Sequence, residues 1–273
     1  MEPRELHMHS LISPRYQEIC MIAQTSTGVA LITGASRGIG AAVARLLAAR
    51  GLAVAINYVS NAQAAQALVS EINAQGGKAI AIQGDVAVEA DVLRLFAEVD
   101  AQLGRLTVLV NNAGVLDKQT RVEQMSVERI QRIFNTNVLG SFVCCREAIK
   151  RMSTKHGGAG GAIVNLSSRA SALGAPGEYV DYAASKGAVD TLTIGLAKEV
   201  AGVGIRVNAV RPGIIETEIH ASGGEPGRAA RLGPLIPMLR SGTAEEVAQS
   251  IVWLASPESS YVTGALLDIG GGR

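Results

Sequence analysis

Residues 28–40 read GVALITGASRGIG, and this stretch decides the fold. Its first half, Gly28 to Thr33, is a short apolar run of the kind found in strands buried on both faces. Its second half crowds Gly34, Gly38 and Gly40 into a turn that leads into a periodic segment, GIGAAVARLLAARG at 38–51, closed by a glycine. A strand, a glycine-rich turn and a helix in that order bring backbone N–H groups and the positive end of a helix dipole to one point. That point suits a pyrophosphate.

The same alternation runs to the end of the chain. Strand patterns at AVAIN (53–57), AIAIQGD (79–85), LTVLVNNAG (106–114), GAIVNLSS (161–168), IRVNAVRPG (205–213) and ALLDIGG (265–271) are separated by helical patterns. The helical patterns fall at 61–77, 89–103, 122–152 with a break, 180–201 and 243–255. Strands alternating with helices predict an α/β domain with a parallel sheet covered on both faces. With 273 residues and no linker or repeat, a single domain over 28–273 is expected. Residues 1–27 lack periodicity and carry Pro3 and Pro14, so they read as a flexible extension, with Met21 as an alternative start.

Composition removes several function classes. A formal charge of +1 offers no global field for nucleic acid or an anionic membrane, and aromatics make up only 3%. No apolar run is long enough to span a bilayer. Cys20, Cys144 and Cys145 form no disulfide framework, which points to a reducing compartment and a cytoplasmic protein. His7, His9, His156 and His220 lack zinc-ligand spacing, so no metal is expected.

The turn spacing is G-x-x-x-G-x-G, and TGASRGIG resembles the cofactor turn of short-chain dehydrogenases/reductases. The resemblance extends through Asp85-Val86, NNAG at 111–114, Asn137 in NTNVLG, Ser168, YAASK at 182–186 and RPGIIET at 211–217. It covers roughly 28–273, and the pattern is similar to 3-oxoacyl-carrier-protein reductases and to sugar or polyol dehydrogenases. The resemblance implies a Rossmann-like doubly wound sheet and a homotetramer built from the long helices and the C-terminal strand. It implies a pyrophosphate turn of Gly34, Ser36, Arg37, Gly38, Ile39 and Gly40. Asp85 and Val86 would meet the adenine, Asn112, Ala113 and Gly114 the ribose path, and Pro212, Gly213, Ile215 and Thr217 the nicotinamide carboxamide.

Cofactor choice is read at the end of the second strand, where a carboxylate would bind a free 2′-hydroxyl and repel a 2′-phosphate. Here Asn57-Tyr58 stands instead, with no acid before Glu71, while Arg37 offers a guanidinium and Ser60 and Asn61 offer further donors. NADP(H) is the expected cofactor.

Tyr182 and Lys186 are four apart on a helical segment and so share a face. A nearby ammonium would favour the phenolate and draw Tyr182 into the range useful for acid–base work. Ser168 ends the fifth strand at the carboxyl edge of the sheet, with Ser167 as its competitor; the resemblance assigns the role to Ser168. The interval from Ser168 to Tyr182 is one residue longer than in the reductase pattern, and 169–181 must absorb it. Asn137, by resemblance, would hold a water linking Lys186 to solvent.

The expected activity is NADP(H)-dependent interconversion of a small carbonyl compound and its alcohol. Competing readings are a 3-oxoacyl thioester reductase and a non-catalytic NADP(H) sensor. An epimerase or dehydratase of the longer relatives would need a larger C-terminal domain. Residues 218–240, rich in glycine and proline, read as a mobile lid. Its polar members His220, Ser222, Glu225, Arg228 and Arg231, with nearby Glu178, are candidates to bond substrate hydroxyls. Leu235, Ile236, Met238 and Leu239 are candidates to cover an apolar chain.

Overall fold

A computed structural model describes residues 28–273; the expectations for 1–27 and for Met21 fall outside the described residues. Seven strands form one sheet in the order β3-β2-β1-β4-β5-β6-β7. They are β1 (Val29–Ile32), β2 (Ala53–Tyr58), β3 (Lys78–Gln83), β4 (Leu106–Asn111), β5 (Gly161–Leu166), β6 (Ile205–Pro212) and β7 (Leu266–Ile269). Every pairing is parallel. The fold is the expected Rossmann-like doubly wound domain.

Two apolar layers explain why the strands read as continuous runs. On one face Ile32, Val54, Ile56, Val110 and Val164 pack against α1 (Gly38–Ala49), α2 (Ala62–Ala74) and α10 (Ala244–Ala255). On the other face Leu31, Ala55, Leu109, Ile163 and Val207 pack against α3 (Glu89–Gln102), α5 (Gly140–Met152) and α7 (Val180–Val200). The helix α10 starts on a capping box in which the Thr243 hydroxyl accepts from the Glu246 N–H and Glu246 answers back.

Strand order reverses between β1 and β4, which leaves a crevice beyond their carboxyl ends. A buried polar rung ties the floor of that crevice together. The Asn111 amide donates to Asn165 on the paired strand at 2.9 Å, and Asn165 donates to Thr193 on α7 at 2.9 Å.

The stretch 122–152 is not one helix. After a short 3-10 turn at Val122–Gln124, α4 (Val127–Phe134) runs into a π-helical turn, Asn135–Leu139, and then into α5. The wider turn carries buried Asn137 inward. Strand β5 stops at Leu166, so Ser168 lies two residues beyond it rather than at its end. The long interval from Ser168 to Tyr182 is taken up by α6 (Ala170–Leu173) and a turn in which Gly174, Ala175 and Gly177 all have positive φ. Ala175 at φ 45° is strained for a residue with a Cβ.

Candidate active site

The glycine turn is built from its neighbours. Gly34 has φ +60°, and a Cβ there would sit 2.9 Å from the Cα of Ala113. The Asn57 side chain accepts from the Gly34 N–H at 3.1 Å and donates to the Gly84 carbonyl at 2.8 Å. Asn112 donates to the carbonyls of Thr33 and Gly34. Both asparagines therefore brace the turn. No side chain caps the N-terminus of α1, which leaves that helix end open to an anion. Gly40 points away from the crevice: its missing Cβ makes room for the Asn112 amide, 2.5 Å from where a Cβ would stand.

A cavity of about 850 Å³ occupies the crevice. Its walls include Gly34, Ser36, Arg37, Gly38, Ile39, Tyr58, Ser60, Asp85, Val86, Asn112, Ala113 and Gly114 at one end. Ser168, Tyr182, Lys186, Pro212, Gly213, Ile215 and Thr217 line it further along. Of the residues assigned in the sequence to catalysis or cofactor binding, Gly40 and Asn137 are the two that do not line it. The Arg37 side chain is exposed and meets no carboxylate among the described residues. One Asp85 oxygen accepts from the Ala87 N–H at 2.9 Å.

Beyond the ribose path, Tyr182 and Lys186 face the cavity from α7. The Lys186 amine donates to the Leu166 carbonyl at 2.6 Å and sits over the Tyr182 ring, 5.6 Å from its centroid. It makes no hydrogen bond to the phenol oxygen. Burial pushes the Tyr182 phenol up to about 12, opposed by a hydrogen bond with Ser168. Burial pulls Lys186 down to about 8, with Asp190 opposing. The expected lowering of the phenol by the ammonium is thus reversed in the chain alone, because desolvation outweighs it. Ser167 and Ser168 part company: Ser167 donates to the Lys186 carbonyl at 3.2 Å, while the Ser168 hydroxyl accepts from the Ala170 N–H at 3.1 Å and lines the cavity with Tyr182.

The Asn137 amide makes three hydrogen bonds. It accepts from the Val115 N–H at 2.8 Å and donates to the Val115 carbonyl at 2.9 Å and to the Ser185 hydroxyl at 3.0 Å. Its Oδ1 keeps one lone pair for a further donor, so the water that the resemblance implies has an acceptor there. The residue also fixes the backbone next to Gly114, where a Cβ would stand 3.4 Å from the Lys186 amine.

The segment 218–240 folds into α8 (Ile219–Ser222) and α9 (Arg228–Leu232), which its glycines and prolines did not announce. Four of its candidate polar partners are bound to one another. Arg228 is buried, stacks on Tyr179 at 5.2 Å, and donates to Glu178 at 3.2 Å and to Glu225 at 3.1 Å. Arg231 donates to Glu225 at 2.6 Å. The Arg231 hydrogen bond, then that from Arg228, holds the Glu225 carboxyl down to about 2. Only His220 and Ser222 of the six reach the cavity wall. Leu235, Met238 and Leu239 are exposed, Ile236 is buried, and none lines the cavity. They do not cover a substrate within this chain.

A family model described as enoyl-(acyl carrier protein) reductase matches residues 34–273. The uncharacterised oxidoreductase YgfF of Escherichia coli is 59% identical over 245 residues, 90% of this chain and 99% of its own. This chain belongs to the short-chain dehydrogenase/reductase family. A 3-oxoacyl-[acyl-carrier-protein] reductase of Synechocystis is 41% identical over 245 residues, covering 89% of this chain and 96% of that one. A short-chain dehydrogenase/reductase from Serratia marcescens superposes with a TM-score of 0.83 at 35% identity, over 92% and 98% of the two chains.

As a member of that family the protein is an oxidoreductase that works with a nicotinamide cofactor. The crevice fits such a group: an uncapped helix end, a glycine turn held open and a long cavity stand in line. Leu116, Arg132, Thr136, Glu218 and Ile219 also line it and were not singled out in the sequence. They lie on loops and helix ends with no motif of their own. Among the described residues no helix is long and apolar enough to cross a membrane, and no cluster of side chains is suited to a metal.

Proposed function

We propose that this short-chain dehydrogenase/reductase is NADP(H)-dependent and interconverts a small polar carbonyl compound and its alcohol, with Ser168, Tyr182, Lys186 and Asn137 as its working residues. The observation that carries this reading is the convergence of Tyr182, Lys186 and Ser168 on a cavity that also presents Arg37, which has no ion-pair partner among the described residues, and no acid at the end of β2.

A nicotinamide dinucleotide in this cavity would supply the hydride, or accept it in the reverse direction. The chain supplies placement and the proton. The uncapped end of α1 and the glycine turn would hold the pyrophosphate, Arg37 and Ser60 the 2′-phosphate, and Pro212 to Thr217 the carboxamide. Ser168 and Tyr182 bind the carbonyl oxygen as donors, and Tyr182 passes its proton to it as the alcohol forms. With its phenol near 12, Tyr182 stays protonated at neutral pH and is ready as the acid in reduction. Lys186 holds the ribose and returns a proton to the phenol. Asn137 acts as a positioning residue, keeping Val115 and Ser185 in register beside Lys186.

A 3-oxoacyl thioester reductase is the second reading, supported by the Synechocystis relative. The test is a panel of carbonyls and alcohols with NADPH and NADH on the purified protein. A specificity constant highest for small polar carbonyls with NADPH is expected. One highest for an acetoacetyl thioester would favour the second reading, and binding of NADPH without turnover of any member would favour a sensor.

The apolar residues Leu139, Phe142 and Ile194 are exposed at the start of α5 and along α7, and Gly187 and Gly195 have open space where a Cβ would stand. Such a surface supports a homotetramer assembled on these helices.

A further inference from the structure

In His220, a residue of the cavity wall, one ring nitrogen is tied to the backbone and the other has no partner among the described residues. His220 lies on α8 and lines the cavity wall. Its Nε2 is 2.8 Å from the carbonyl oxygen of Ile215. A carbonyl oxygen can only accept, so Nε2 must carry the hydrogen whenever this contact is a hydrogen bond. Burial, helped by the Arg228 charge, pulls the ring below the ordinary histidine value, while the Ile215 hydrogen bond and Glu225 oppose it. With the hydrogen on Nε2, the Nδ1 of the neutral ring is bare and can only accept. No described residue donates to Nδ1.

The charges around it are closed off. Arg228 and Arg231 are paired with Glu178 and Glu225. Arg132, the other arginine in the cavity wall beyond Arg37, is paired with Asp117. No unpaired guanidinium therefore stands at the lid end of the cavity to attract a carboxylate or phosphate. What remains there is a pair of donors at Tyr182 and Ser168, the His220 ring, the Ser222 hydroxyl and the Glu218 carboxylate, which repels an anion.

Resting on the carbonyl-reductase reading above, we propose that His220 is a specificity-determining residue whose Nδ1 accepts a hydrogen bond from a hydroxyl of the substrate, so that this site takes neutral hydroxyketones and hydroxyaldehydes in preference to deoxy carbonyls of the same shape. A site built around a hydroxyl discriminates against an analogue that lacks it, because the acceptor, covered by the bound analogue, is then left unpaired. The Ile215 tether matters as much as the ring. It fixes which nitrogen is bare, and it joins the lid to the loop that follows β6.

The experiment compares matched pairs: hydroxyacetone against 2-butanone, and 4-hydroxy-2-butanone against 2-pentanone. The ratio of specificity constants within each pair is measured for wild type, His220→Gln, His220→Asn and His220→Phe. Glutamine can keep the donor to Ile215 but has no atom at the Nδ1 position, whereas asparagine can place its oxygen there. Wild type should favour the hydroxylated member of at least one pair. That ratio should fall about threefold to tenfold in His220→Gln and His220→Phe and be largely kept in His220→Asn. A second readout is the imidazole nitrogen spectrum of histidine-labelled Tyr182→Phe protein, with the His220 signals assigned by loss in His220→Gln. The Nε2–H tautomer should be seen in the free protein, and the bare Nδ1 signal should move when the preferred hydroxyketone is added with NADPH. Turnover of both members with ratios unchanged by all three substitutions overturns the inference and leaves the carbonyl-reductase reading standing. An Nδ1–H tautomer overturns it as well. Failure of wild type to turn over any carbonyl overturns the reading and the inference together.

Discussion

The Lys186 amine stands over the face of the Tyr182 ring, 5.6 Å from its centroid, while its hydrogen bond goes to the Leu166 carbonyl. No hydrogen bond joins the amine to the phenol oxygen. Each is desolvated by the same packing of α7 against β5, so burial raises the acid and lowers the base.

This has a consequence for stability. Lys186 titrates near 8 in the folded chain against 10.5 for an ordinary lysine. Between those values the unfolded chain binds more protons than the folded one, so Lys186 makes stability rise with pH across that window. Below it the full cost of burying the ammonium is present. Thermal unfolding of wild type and Lys186→Met at about pH 7.5 and about pH 9.5 should show wild type gaining on the variant at the higher value. An equal difference at both would place the lysine's folded value near its ordinary one.

The phenol is predicted to matter for chemistry and little for cofactor binding. Tyr182→Phe keeps the ring under the Lys186 amine and removes only the proton donor. NADPH affinity should stay within about threefold, and turnover should fall by about 10²-fold or more. Fluorescence titration and steady-state rates check both parts, and wild-type turnover in the variant would remove Tyr182 from the mechanism.

Cofactor preference is predicted to follow Arg37. Arg37→Ala should lower the specificity constant for NADPH by about tenfold or more while leaving NADH nearly unchanged. Adding Tyr58→Asp, which places a carboxylate at the end of β2, should move the preference toward NADH. A wild type that already prefers NADH would contradict the assignment.

The lid is predicted to depend on Arg228. This buried guanidinium joins α9 to Glu178, in the turn before the catalytic helix, and to Glu225 within the lid. Arg228→Met leaves both carboxylates without it. Hydrogen exchange over 219–232 should quicken, and KM for the carbonyl should rise about tenfold with a smaller change in kcat. Exchange indistinguishable from wild type would mean the ion pairs do not hold the lid.

Assembly is predicted to use α5 and α7. Light scattering should return four copies of the 28.3 kDa chain at micromolar concentration. Phe142→Lys, at a side chain 49% exposed on α5, should shift the protein toward smaller species. A monomeric wild type would end the proposal.

The order of strands and helices was legible because periodicity and glycine position are local properties. The run VALI at 29–32 is apolar without alternation, which only a strand covered on both faces requires. Tyr182 and Lys186 were legible as a pair because helix spacing alone puts them on one face. The π-helical turn at Asn137 was not legible, since a helical pattern that passes through a wider turn looks the same in sequence. Nor was the role of Asn57, whose neighbours Gly34 and Gly84 are distant in the chain.

What the sequence by itself determined is the parallel sheet, the phosphate-binding turn and the identity of the groups that meet in the crevice. Each is written in short-range spacing or in ordered motifs. Only the tertiary structure decided which polar groups are available to a ligand. In the sequence Glu178, Glu225, Arg228, Arg231, His220 and Ser222 are equivalent candidates. In the fold four of them neutralise one another, because opposite charges brought together in a partly buried lid pair with each other before they pair with anything else. His220 is left with one nitrogen tied to Ile215 and the other bare, a distinction set by a contact that no spacing encodes.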